Sequence, residues 1–175
     1  MTTIPLVVFD HHWLAQTSAR TTNNSWVDEV LADVDGAGGL YLNTLRNWFH
    51  RFPVSKKQKR SLKVSLESYD NHTHLGAVNE LSWWELMNLW GWSVQPVPTS
   101  TERRPDFYIT QPSSFFCEVT TLNVSENERK AFSIGQGVPL GHKGPIERIV
   151  KKITNEKTGQ ILYGAPGFAP KVVLL

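Results

Sequence analysis

Apolar residues between positions 71 and 90 recur so densely that they wrap most of a helix. Leu75, Val78, Leu81, Trp83, Trp84, Leu86, Met87, Leu89 and Trp90 leave only a narrow polar strip. That pattern belongs to a helix packed on several sides rather than to a surface helix. Gly91, directly after it, suits a helix C-cap. Upstream, the spacing predicts three shorter helices. The first covers residues 26–35, opened by the polar cluster Thr21-Thr22-Asn23-Asn24-Ser25, with Asp28 and Glu29 in its first turn, and closed by Gly36-Ala37-Gly38-Gly39. The second covers 40–49 and stops before Pro53; the third, strongly basic, covers 55–68. Residues 1–24 read as an irregular arm.

Beyond Gly91 the pattern changes. Residues 93–96, 106–110 and 115–122 read as strands, and Gln111-Pro112-Ser113-Ser114 is turn chemistry between the last two. A short helix over 126–132, a glycine-rich loop and a basic helix over 145–158 follow, with Pro145 in the first turn of the latter. An apolar strand over 171–175 runs into the terminus and favours a fragment over a complete domain. The expected organisation is an N-terminal arm and helical region over 1–70, then an α/β core over 71–175 that stops early.

Composition sets outer limits. The chain has 175 residues, 40% of them apolar and 19% charged, which fits one ordinary globular domain with at most a small appendage. Seven tryptophans promise a substantial core. A single cysteine excludes an internal disulfide and a multi-cysteine zinc site. The opening residues lack a basic leader with a long apolar run, and no stretch reaches the length of a membrane span, so a soluble, cytoplasmic protein is the expectation.

The net charge of +2 conceals an asymmetry. Between Arg46 and Leu66 there are seven basic residues and no acid, leaving 11 basic against 16 acidic residues elsewhere. Interleaved with Trp48, Phe49 and Phe52, this stretch suits phosphate contact, with Lys56, Lys57, Lys59 and Arg60 as the nucleic-acid candidates beside Lys152 on the later helix. A solvated helix face is the alternative.

The candidate chemistry centres on Asp106 and Glu118. Strand alternation puts Asp106 on one face with Tyr108 and Thr110, and Glu118 with Phe116 and Thr120. A hairpin of suitable register would bring both acids to the same face. Phe115-Phe116-Cys117-Glu118-Val119 is a core-strand environment, where a carboxylate is costly unless paired or metal-bound. Two such carboxylates make a hard oxygen site for Mg²⁺ or Mn²⁺. The competing reading has Asp106 at a loop edge and Glu118 on the surface of an edge strand. Glu80 shares a helical stripe with Trp84 and Met87 and can add a third carboxylate, with Glu85 competing for that role.

Glu80 on a helix, Gly91-Trp92-Ser93-Val94, Arg104-Pro105-Asp106-Phe107 and Phe116-Cys117-Glu118-Val119-Thr120, in this order, resemble the PD-(D/E)XK nuclease superfamily over about residues 71–175. The two acids are separated by eleven residues. The resemblance implies a restriction-endonuclease-like core, a mixed central β-sheet flanked by helices. It also implies Mg²⁺- or Mn²⁺-dependent hydrolysis of phosphodiester bonds, DNA before RNA, often by a homodimer. Asp106, Glu118 and Glu80 would serve the metal. The family's lysine would stand at position 120, where this chain has Thr120. Either Lys157, with Gln160 beside it and Lys152 as a weaker substitute, supplies the cation, or the fold is an inactive nucleic-acid-binding or assembly module.

Other signals are weaker. Cys117 faces away from Glu118 and reads as a core thiol. His11-His12 and His72-x-His74 lack the pairing that zinc requires. The run Gly135–Gly144 lacks the Gly-Lys-Ser/Thr ending of a phosphate-binding loop. A third reading is a helical interaction protein that uses the basic face.

Overall fold

The computed structural model describes residues 6–20, 25–98, 104–120 and 171–174. Within them five helices precede a sheet: α1 (His11–Ser18), α2 (Trp26–Leu31), α3 (Ala37–Arg51), α4 (Lys56–Leu66), α5 (Asn71–Leu89), then β1 (Ser93–Pro96), β2 (Phe107–Gln111), β3 (Phe115–Val119) and β4 (Lys171–Leu174). The class is mixed α/β. No helix among the described residues is long and apolar enough to cross a membrane.

Local chemistry sets most helix ends. Ser25 and Ser55 each form a reciprocal capping box, with Asp28 and Gln58 respectively. Asp70 caps α5 by accepting from the Thr73 N–H at 2.8 Å. At the other end Gly91 takes φ +77°, a left-handed conformation that glycine adopts without steric cost. The Trp92 N–H then reaches the Met87 carbonyl at 3.0 Å and the Gly91 N–H that of Asn88 at 2.9 Å. This double closure turns the chain directly into β1.

Two helical expectations are corrected. Residues 1–24 are not wholly irregular, because α1 lies within them. Its single-turn cap, the Asp10 carboxylate accepting from the Trp13 N–H at 2.9 Å, is local, but its stability is tertiary. Trp13 Nε1 donates to the Glu67 carbonyl at 3.2 Å, and Thr17 Oγ1 meets the Tyr69 hydroxyl at 2.6 Å. The glycines at 36–39 do not separate two helices as a loop. The second helix ends at Leu31 and the third already starts at Ala37. A Cβ at Gly38 would overlap the Val30 carbonyl oxygen, so glycine here permits a close helix–helix corner.

The basic stretch is partly structural. Lys63 Nζ donates to the Val7 carbonyl at 2.7 Å, to Asp10 at 3.1 Å and to Glu67 at 2.6 Å. Arg46 donates to the Val8 and Phe9 carbonyls. These bonds clamp the N-terminal segment onto α3 and α4. They also hold Phe9 at φ +54°, a conformation costing a non-glycine residue roughly 1–2 kcal/mol.

The sheet order is β1-β2-β3-β4, with β1, β2 and β3 antiparallel in succession and β4 parallel to β3. Phe107, Ile109 and Cys117 are fully buried in one apolar cluster with Leu81, Trp84 and Met87 of α5. Phe52 links the layers, with its ring edge-on to Trp84 at 5.3 Å and to Phe107 at 6.3 Å. The same cluster includes Phe9, Leu42, Leu45 and Leu66. Position 70 therefore marks a turn in the chain, and the core continues across it.

His74 is 0% exposed at the centre of the helical layer. Its Nδ1 lies 2.6 Å from the Leu66 carbonyl, which can only accept. The proton therefore sits on Nδ1, and Nε2 accepts from the Tyr41 hydroxyl at 2.7 Å. Burial holds the His74 pKa below its ordinary 6.5.

A depressed histidine pKa means the unfolded chain binds the extra proton first, so this contribution is present above pH 6.5 and lost as pH falls. Urea melts of His74→Gln should show lower stability overall and a flatter decline between neutral and mildly acidic pH. An unchanged slope would contradict the burial of a neutral ring. Lys63→Met keeps the aliphatic stem but takes the cation from Asp10 and Glu67, which retain the Trp13 and Phe9 N–H bonds, and should cost about 1–2 kcal/mol in the same melts. A loss within experimental error would show that the clamp is unimportant.

Candidate active site

The β2–β3 register pairs Phe107 with Cys117, Tyr108 with Phe116 and Ile109 with Phe115. Continued by one residue, it sets Asp106 directly across from Glu118. Directly paired residues share a face. That face also carries Tyr108 and Phe116, whose rings lie 4.8 Å apart. The opposite face carries the apolar Phe107–Cys117 pair that meets the helices. Strand alternation thus gives one face to the core and the other to the acids.

Glu118 is not a surface residue of an edge strand. It is 2% exposed on β3, an interior strand, and its register partner on β4 is Val173. Asp106 is half-buried, and its Oδ2 accepts from the Val119 N–H at 2.7 Å. This bond fixes the carboxylate against the neighbouring strand, one residue from Glu118.

Glu80 completes the arrangement from α5. Burial pushes its carboxyl up to about 7, and the negative charges of Asp106 and Glu118 push in the same direction. Glu80 is thereby within electrostatic reach of both strand acids. Glu85, the competing acid, serves elsewhere: it is 6% exposed, with Oε1 2.7 Å from Arg51 Nη2. The helical wheel had left both acids open, and Arg51 separates them. Cys117 is buried behind the acids, its thiol pushed up to about 12 by burial and by the charges of Asp106 and Glu118. At neutral pH it is a protonated core thiol and no nucleophile.

Among the described residues, no group of three or more His, Cys, Asp or Glu side chains is drawn together tightly enough to hold a metal ion. The donor set present is two strand carboxylates in opposed register, with Glu80 in electrostatic reach of both. Magnesium is commonly held by one or two carboxylates, its remaining positions filled by water and substrate. Asp106 and Glu118 are donors of that kind.

The predicted cations divide into three sets. Lys59 Nζ donates to the His50 carbonyl at 2.8 Å and lies 5.5 Å from the Phe49 ring centroid, so it caps the end of α3. Burial lowers its pKa. Lys56, Lys57 and Arg60 are exposed on α4. Lys152, Lys157 and Gln160 lie outside the described residues. Thr120, at the position where the resemblance expects lysine, is buried. One feature escaped the sequence reading: a groove between α4 and α5 that reaches Glu80. Its sequence signals are small residues, Ser61 and Ser65 one turn apart on α4 and Gly76 on α5. No family model, curated protein or solved structure matches the chain.

The Glu80 environment yields a signed prediction. The folded-state pKa of about 7 stands above the ordinary 4.5, so Glu80 costs nothing below pH 4.5, and the penalty builds between 4.5 and 7 and is complete above 7. The full penalty is on the order of 3 kcal/mol. With EDTA present, Glu80→Gln should raise Tm at pH 8 and change it little near pH 5. A pH-independent difference would remove Glu80 from the cluster.

Proposed function

We propose that this chain is a metal-dependent nuclease of restriction-endonuclease-like fold, hydrolysing phosphodiester bonds of nucleic acid, DNA before RNA. The observation that carries the reading is the hairpin register, which opposes Asp106 and Glu118 on one sheet face with Glu80 in electrostatic reach. The order of elements supports it: a helix bearing one acid, an antiparallel β1–β2–β3 meander bearing two, and β4 parallel to β3.

Asp106 and Glu118 would hold Mg²⁺ or Mn²⁺, and Glu80 would orient water beside it. Bound there, the ion would supply Lewis-acid polarisation of a phosphoryl oxygen and a water of lowered pKa. The chain's own groups have separable parts. The Val119 N–H keeps the Asp106 carboxylate oriented, as hydrogen bonds to ligating carboxylates generally do. Glu80 carries a raised pKa in the metal-free site, from burial and the charges of Asp106 and Glu118, and a cation bound there would favour its ionised form. Lys157 is proposed as the cation that the family places at position 120, and Lys152 as a phosphate contact. Lys56, Lys57 and Arg60 would attract the backbone, with cytoplasmic nucleic acid as partner. A homodimer would provide two such sites for cutting both strands.

A second reading has a specific observation behind it. Thr120 cannot carry charge, and it is buried beside the acids. A non-catalytic binding or assembly module of the same fold would tolerate that replacement.

Calorimetry with Mn²⁺ should show binding to the wild-type chain and at least about tenfold weaker binding to Glu118→Gln, the loss expected for one charged ligand. Labelled DNA and RNA should be cut in Mg²⁺ or Mn²⁺ by the wild type and not by Asp106→Asn. Metal binding without cleavage would favour the inactive module. Identical heats in the wild type and Glu118→Gln would overturn the metal site.

A further inference from the structure

The groove between α4 and α5 has a volume of about 390 Å³, within the range of small-ligand sites. Each wall is one strip of one helix: Gln58, Ser61 and Ser65 on α4, and His72, Gly76 and Glu80 on α5. Positions three and four apart stack on the same helix face, so both strips are continuous. The buried side chains of Phe52 and Leu62 form an apolar floor. At Gly76 an added Cβ would meet nothing within 4 Å, so the groove stays open over the helix backbone.

Three features narrow the occupant. The groove reaches Glu80, the helix member of the carboxylate cluster. On α4, exposed Lys57 is the cation nearest the wall strip of Gln58, Ser61 and Ser65, while Lys56 and Arg60 stand toward the far side of the helix. The walls offer hydroxyl and amide groups above an apolar floor, which suits a flat heteroaromatic ring with a polar edge. Gln58 presents a pinned amide, since its Oε1 accepts from Ser55 Oγ at 2.8 Å. A carboxyl at the end of the groove disfavours an anionic group inside, while Lys57 favours a phosphate outside it.

We propose that this groove seats one unpaired nucleobase of the nucleic-acid strand whose phosphate is presented to Asp106 and Glu118. The inference rests on the nuclease reading and adds a substrate class: strands with an unstacked base, in preference to uninterrupted duplex. A base inside a duplex is stacked and paired and must leave the helix to enter such a slot.

Fluorescence anisotropy in EDTA tests it without cleavage, using a short labelled single-stranded oligonucleotide and a blunt duplex of equal length. The single strand should bind about tenfold or more tightly than the duplex, the order that one seated base supplies. Gly76→Leu fills the groove from a position with open space, and replacing a mid-helix glycine should leave Tm equal or higher. It should weaken single-strand binding by about the same factor. Ser61→Trp fills the groove from the opposite wall and should do likewise. The proposal is overturned if both variants fold and bind unchanged, or if the duplex binds as tightly as the single strand. Unchanged binding in the variants would leave the nuclease reading intact. Failure of every nucleic acid to bind the wild type would remove both.

Discussion

The contact on which the rest depends is the edge-on seating of Phe52 between Trp84 and Phe107. Phe52 directly follows α3 as its C-cap, Trp84 lies within α5 and Phe107 opens β2. One ring therefore joins the helical layer to the sheet. Aromatic pairs of this geometry contribute about 0.5–1.5 kcal/mol beyond the area they bury. Their larger consequence is positional. Phe107 immediately follows Asp106, and Trp84 follows Glu80 by about one helical turn. Packing the apolar neighbours brings the acids into mutual range. Burial elsewhere in the core outweighs the repulsion between carboxylates that would otherwise separate.

Much of this was legible because it follows from short-range rules. Strand alternation assigned Asp106 and Glu118 their neighbours, and the turn chemistry at 111–114 predicted the hairpin that opposes them. Gly91 marked the end of α5 because a left-handed residue is needed there. Pro53 marked the stop of the helix before it, since proline cannot continue a helix.

What the sequence concealed lies in contacts between distant positions. The helix α1 buries only Trp13 and Thr17, too few for a periodic signal, and is held by Glu67 and Tyr69 more than fifty residues away. Glu80 and Glu85 are equally plausible on a helical wheel, and only the position of Arg51 tells them apart. The α4–α5 groove is a property of two helix faces meeting, so neither helix announces it alone. The cations of 46–66 looked interchangeable because charge is visible in a sequence and its partners are not.

That last point bears on salt dependence. Arg46, Arg51, Lys59 and Lys63 already hold partners within the fold, through Val8 and Phe9, Glu85, His50, and Asp10 with Glu67. A phosphate backbone gains affinity from a cation by releasing its own condensed counterions, at about 0.9 of an ion per neutralised phosphate on duplex DNA. A side chain already committed internally adds little to that entropy. Seven charges in this stretch thus set a ceiling closer to the three exposed on α4, and the others stabilise the platform that carries them.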